Sequence, residues 1–162
     1  MLVAILSDAH DNIWNVEKTL PRLREAETMI FCGDFCAPFT LQMLAEGFAG
    51  PIHAVLGNND GDPLLLSFIA GKAGTVKLYS GMGAIEVDGK KLAFTHYPQI
   101  GEALGRCGLY HAAFSGHTHR RQLEVVHGVV CANPGEVMGR FGEPSFGLYD
   151  TASGEFRFEE IR

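Results

Sequence analysis

The sequence predicts an α/β fold in which two mixed sheets pack face to face with helices outside. Short, largely apolar runs such as LVAIL at 2–6 and TMIFC at 28–32 read as strands buried on both faces. In the first half of the chain such runs alternate with helical stretches, the pattern of parallel βαβ units. In the second half, short extended runs separated by turn residues take over, and these read as mostly antiparallel.

The elements follow in order. After the strand at 2–6 comes a polar loop, Ser7–Asn12, in which Asp11 or Asn12 can cap a helix over 13–26, kinked or broken at Pro21. The strand at 28–32 ends at Gly33-Asp34, and a helix over 38–48 has Pro38 near its start and Gly47 near its end. A strand at 52–56 ends at Gly57-Asn58-Asn59-Asp60 and is followed by a helix over 63–72. Extended runs at 75–80, 84–89 and 91–95 follow, with Asp88-Gly89 as a hairpin turn. A short helix over 99–107 precedes a strand at 112–115, which ends at Gly116-His117-Thr118-His119. Runs at 121–126, 128–131, 145–150 and 155–161 are extended, with turns at His127-Gly128 and 152–154.

Composition bounds the function. A length of 162 residues, with no linker, repeat or charge block, predicts one domain spanning 1–162. An apolar share of 46% against 20% charged excludes a disordered chain. A net charge of -6 argues against a protein that grips nucleic acid by bulk charge. No apolar run approaches the roughly 18–20 residues needed to span a bilayer. The four cysteines lack CxxC spacing and no signal peptide precedes them, so reduced thiols in a cytoplasmic protein are expected.

Five short motifs share one position, just past the end of a predicted strand: Asp8-x-His10, Gly33-Asp34, Gly57-Asn58-Asn59-Asp60, Thr95-His96 and Gly116-His117-Thr118-His119. Loops at the carboxyl ends of strands meet in a common crevice, so these residues should converge. Oxygen and imidazole donors without thiolates suit Mn, Fe, Zn or similar divalent ions. A carboxylate between donor groups can bridge two metals roughly 3.5–4 Å apart.

The ordered blocks resemble those of the calcineurin-like metallophosphoesterases. The form LSDAHDN…GD…GNND…TH…GHTH…NPGE is similar to the small bacterial and archaeal phosphodiesterases of that superfamily, over residues 2 to about 135. The resemblance implies a four-layer α/β/β/α sandwich. It implies that one metal takes Asp8, His10, Asp34 and His119. The other takes Asp34, Asn58, His96 and His117, with Asp34 as the bridge. A hydroxide between the two ions would attack the phosphorus of a small phosphate ester. Manganese is the first candidate, with Fe, Zn, Ni or Co as the others. Asp34, Asn58 and Asp60 complete the catalytic assignment, Asp60 as a carboxylate that holds a ligand histidine in one tautomer. Small relatives resemble dimers or tetramers, so a homo-oligomer is an expectation too.

Two positions depart from the pattern. Many members carry a histidine after the ligand asparagine, where Asn59 stands here. An amide cannot act as a general acid, so good leaving groups should be favoured. Tyr97-Pro98 follows His96 where many members have Gly-His, and Tyr97 reads as a packing residue. His53, His111 and His127 lie outside the blocks and read as structural. Cys32 and Cys36 read as small hydrophobes. Asn12 reads as a helix cap, Asn133-Pro134-Gly135 as a supporting turn, and Arg120 and Arg121 as solvated. Two alternatives to a phosphodiesterase are a non-enzymatic scaffold of the same fold, as a retromer subunit exemplifies, and a phosphomonoesterase acting on nucleotides or phosphoproteins. All four block histidines are present, which favours the enzyme.

Overall fold

The computed structural model describes residues 1–162. The first sheet holds six strands: β1 (Leu2–Leu6), β2 (Thr28–Phe31), β3 (Ile52–Val55), β4 (Val76–Tyr79), β10 (Ser145–Asp150) and β11 (Phe156–Glu160). They lie in the order β11-β10-β1-β2-β3-β4. The second holds β5 (Met82–Val87), β6 (Lys90–Thr95), β7 (Ala112–Phe114), β8 (Arg121–Val126) and β9 (Val129–Pro134), in the order β5-β6-β7-β9-β8. Both sheets are mixed.

Side-chain alternation along β1 shows why two sheets and two helical layers follow. Val3 and Ile5 point into a cluster with Ile30 and Val55 of the same sheet and Leu92, Phe94, Ala112 and Phe114 of the other. Ala4 and Leu6 point the opposite way, into a cluster with Val16, Leu41, Leu44 and Leu66 from the helices. Those helices are α1 (Ile13–Thr19), α2 (Pro38–Gly47) and α3 (Pro63–Ala73). A fourth, α4 (Pro98–Arg106), covers the outer face of the second sheet against β6, β7 and β9. Its approach is close: a Cβ on Gly105 would meet Cys131 Sγ at 2.2 Å. The result is the expected four-layer α/β/β/α sandwich.

Local chemistry sets the element ends. Asn12 caps α1 by accepting from the Asn15 N–H at 3.2 Å. The stretch predicted as one helix over 13–26 breaks after Thr19, where Pro21 sits in a 3₁₀ turn at Leu20–Leu23. Asp88 and Gly89, with φ of 52° and 72°, turn the β5–β6 hairpin.

The pairing of the second half differs from the expectation in two places. β4 joins the first sheet, parallel to β3, with α3 as its crossover. β6, β7 and β9 run parallel, with α4 between β6 and β7 completing a further βαβ unit. Their apolar runs are buried on both faces, as parallel strands require, and periodicity alone does not distinguish these from short antiparallel strands. The β10–β11 hairpin closes the first sheet by pairing antiparallel to β1.

Candidate metal centre

Parallel pairing aims the carboxyl ends of β1, β2 and β3 in one direction and those of β6, β7 and β9 in another common direction. The loops after these strands are bonded to one another. Asp8 N–H donates to Gly33 O at 3.0 Å and His10 N–H to Asp34 O at 3.0 Å. Gly116 N–H donates to His96 O at 3.1 Å. His117 N–H donates to Asp8 Oδ2 at 2.9 Å, which ties the two sheets together at this point. Packing here leaves no space for side chains: a Cβ on Gly57 would meet Asp34 Oδ1 at 2.2 Å, and one on Gly116 would meet Ser7 Oγ at 1.9 Å. The backbone is also strained where it matters. Asp8, His10, Asp11, Asp34, Cys36, His117 and His119 all have positive φ, although none is glycine.

Seven of the predicted residues converge. Asp8 Oδ1 lies 3.7 Å from His10 Nε2 and 3.5 Å from His119 Nε2. Asp34 Oδ2 lies 3.5 Å from His10 Nε2 and 3.4 Å from His96 Nε2, between the two groups. Asn58 Oδ1 lies 2.9 Å from His96 Nε2 and 3.0 Å from His117 Nδ1, and those two ring nitrogens are 3.2 Å apart.

This donor set fits divalent cations on chemical grounds. Asp8 Oδ1 and His10 Nε2 are buried and have no hydrogen-bond partner. Such orphaned groups are costly unless a charge answers them. Asp8 Oδ2, by contrast, accepts from Ser7 Oγ at 2.5 Å and from His117 N–H. His96 Nδ1–H donates to Cys32 O at 2.8 Å, so its Nε2 presents a lone pair to Asn58 Oδ1 and Asp34 Oδ2. Acceptors facing acceptors require a proton or a cation between them, and a cation within each group would satisfy its acceptors together. The groups Asp8–His10–His119 and Asp8–Asp34–His96 each hold their donor atoms within 4.8 Å of one another.

The electrostatics are consistent. Burial opposes ionisation of Asp34, yet the adjacent His96 imidazole and the hydrogen bonds from Asn59 hold its carboxyl well below the usual carboxylate range. The Asp8 carboxylate raises the His10 pKa against burial. Burial works to lower that of His96, but Asp34 and the Cys32 carbonyl leave it raised. Burial and then Asp11 push the Cys36 thiol up to about 12, and burial also raises the Cys32 thiol well above its ordinary value, so neither offers a ready thiolate.

Asp60 is a correction. Its carboxylate does not hold a histidine. It accepts from the backbone N–H groups of Asp34 at 2.9 Å, Cys36 at 2.7 Å and Gly57 at 2.6 Å, and so ties the β2 and β3 loops together. The histidine-holding carboxylate is Glu136, which the sequence reading missed. Glu136 is buried, and its Oε2 accepts from His119 Nδ1 at 2.6 Å. The signal was present: NPGE stands at the end of β9, the position every other block shares. His10 has its own support, Cys36 Sγ at 3.5 Å from Nδ1.

The remaining assignments are simple. Asn59 bonds to Asp34 twice, through its N–H at 2.8 Å and its side-chain amide at 2.7 Å. Tyr97 packs its ring on His96 and His117, with centroids 5.2 and 5.6 Å apart. Asn133 Nδ2 donates to Gly116 O at 2.7 Å and to Thr118 Oγ1 at 3.0 Å, which supports that loop. Arg121 pairs with Glu160 at 3.5 Å. His53 meets the Tyr79 hydroxyl at 3.1 Å, His111 Nδ1 accepts from Lys91 N–H at 3.0 Å, and His127 forms a turn. No helix is long and apolar enough to cross a membrane.

Comparison with known proteins places this geometry. Residues 1–154 match the calcineurin-like phosphoesterase superfamily domain. A curated phosphodiesterase of Methanocaldococcus jannaschii is 33% identical over 162 residues, 97% of this chain and 97% of its own. The solved structure of a novel archaeal phosphodiesterase superposes with a TM-score of 0.91 at 32% identity, covering 99% of this chain and 100% of that one. Vps29 of Entamoeba histolytica in complex with zinc shares the fold at a TM-score of 0.68 and 20% identity, covering 99% and 98%. The chain belongs to the calcineurin-like phosphoesterase superfamily and is by family a metal-dependent hydrolase of phosphoric ester bonds.

Proposed function

We propose that this member of the superfamily is a phosphodiesterase that acts, as one unit over residues 1–162, on small phosphate esters through two divalent cations. Asp8, His10, Asp34 and His119 would hold one ion, and Asp34, Asn58, His96 and His117 the other. The carrying observation is the set of buried lone pairs aimed at one another, with Asp8 Oδ1 and His10 Nε2 left without partners. When bound, the ions would supply an activated water of lowered pKa and Lewis acidity toward the phosphate oxygens. Manganese is the first candidate, and Fe, Zn, Ni and Co fit the same donors.

The chain's own residues do the positioning. Cys32 O, Glu136 and Cys36 each engage one ring nitrogen of His96, His119 and His10, which leaves the other nitrogen free to bind. Asn59 fixes the Asp34 rotamer from two directions, and Asp60 fixes the backbone beneath it. Asn59 carries no titratable proton, so it cannot protonate a departing alkoxide. Esters whose leaving group is stable as an anion, such as aryl diesters, should turn over fastest. Two bound ions would supply the positive charge that attracts a phosphate ester to a protein that is acidic as a whole.

The test is to strip the metals and restore Mn, Fe, Zn, Ni or Co singly, with aryl diesters and alkyl monoesters as substrates. Activity on aryl diesters with at least one ion is expected. Inactivity with every ion would leave the scaffold reading in its place.

A further inference from the structure

Beside the candidate metal centre stands an aromatic ring that phosphate chemistry does not require. Phe141 lies in the loop between β9 and β10 and is 71% exposed. Single exposed hydrophobic side chains are ordinary on protein surfaces. This one is held in place. Its backbone N–H donates to Glu136 Oε1 at 2.5 Å, and that of Gly142 donates to the same oxygen at 2.8 Å. The other oxygen of Glu136 takes His119 Nδ1. One buried carboxylate therefore positions both a proposed metal ligand and the loop that carries the ring. The ring stands edge-on against His119, with centroids 5.1 Å apart and planes at 84°. The Arg140 guanidinium sits 5.4 Å from the ring centroid and restrains it further. An open apolar ring fixed next to a metal-binding imidazole is a preorganised platform. Tyr97, near His117, is half-buried and offers less free surface.

We propose that Phe141 is a specificity-determining residue that receives a planar aromatic substituent of the ester, while the phosphate occupies the metal centre. This rests on the phosphodiesterase reading above and adds the substrate class: esters bearing an aryl group or a nucleobase. Ring-on-ring contact favours offset or edge geometry, and stacking on a protein aromatic tolerates any base because every base has a π-face. Arg140 adds a cation that a bound phosphate oxygen or ring would meet.

The experiment uses the full chain loaded with manganese and measures binding calorimetrically. Three ligands are compared: phenylphosphonate, adenosine 5′-monophosphate and methylphosphonate. Phe141→Ala is expected to weaken an aromatic ligand about tenfold, in line with the loss of one stacking contact. Methylphosphonate should change less than twofold, and Phe141→Trp should restore the aromatic ligand. If phenylphosphonate loses more, the ring sits next to phosphorus; if the nucleotide does, it sits across a sugar. An equal change for all three ligands, or no change for either aromatic one, overturns the proposal and leaves the phosphodiesterase reading intact. If the wild type binds none of the three and cleaves no ester, the phosphodiesterase reading itself fails.

Discussion

The two halves of the candidate metal centre use similar donors and differ in what stands behind them. On one side, Asp8 is fully buried, and its outer oxygen is tied to Ser7 and to the backbone of the GHTH loop. His119 is held by a buried glutamate, and His10 by Cys36. On the other side only His96 is buried and tied to backbone; Asn58 and His117 face solvent. Donors backed by a second layer stay aimed when the ion leaves, whereas exposed donors must be reordered each time. On the proposed reading the buried half would retain an ion, and the open half would meet the substrate.

The largest expected effect comes from the group both halves share. Asp34→Asn should lower kcat on an aryl diester roughly a thousandfold, the several kcal/mol that metal-borne charge stabilisation supplies, with an unchanged circular dichroism spectrum. A loss of under tenfold would mean that the halves do not share this carboxylate. Next, Asn59→His supplies a titratable proton donor beside Asp34. Alkyl diester turnover should rise by about a hundredfold relative to aryl turnover. An unchanged ratio would remove the leaving-group argument.

Glu136→Gln sharpens the comparison directly. Affinity for the tighter ion should fall by roughly ten- to a hundredfold, while the weaker one moves little, as read by metal titration of the stripped protein. Equal loss at both ions would break the division into halves. The smallest effect is on stability. His10 and His96 have folded-state pKa values raised above 6.5. Their contribution to the metal-free fold is complete below pH 6.5 and is lost as pH rises through the raised values. The melting temperature of the stripped protein should therefore fall by a few degrees between pH 6.5 and 8, about what 1 kcal/mol does in a domain of this size. With metal present the trend reverses, because the ions bind deprotonated imidazoles. A flat profile without metal would show that neither histidine feels its carboxylate neighbour.

Much of this was legible along the chain. Apolar runs with abrupt polar ends marked β1, β2, β3, β6 and β7, and the residues just past those ends, from Asp8 to His119, are the ones the fold gathers. Glu136 escapes the sequence reading because Asn133-Pro134-Gly135 before it reads as a supporting turn and not as the end of a strand. Asp60 was assigned the task that Glu136 performs: a carboxylate in a motif declares its type, but not whether a histidine or a row of backbone amides will face it. β4 was separated from β3, and β6, β7 and β9 were expected to pair mostly antiparallel, because short apolar strands carry no mark of their neighbours.

By itself the amino-acid sequence determined what is local: where strands start and stop, which turns need Asp88-Gly89, which residue caps α1, and which donors sit at strand ends. It also determined the family, because five ordered blocks are a linear pattern. The tertiary structure alone decided which strands pair, which oxygen of Asp8 stays unpartnered, and that Glu136 ties His119 to Phe141 across a loop. These depend on distances between residues far apart in the chain, and such distances are set by packing two sheets and four helices around shared cores. A lone pair becomes a metal site only when packing has removed its other partners.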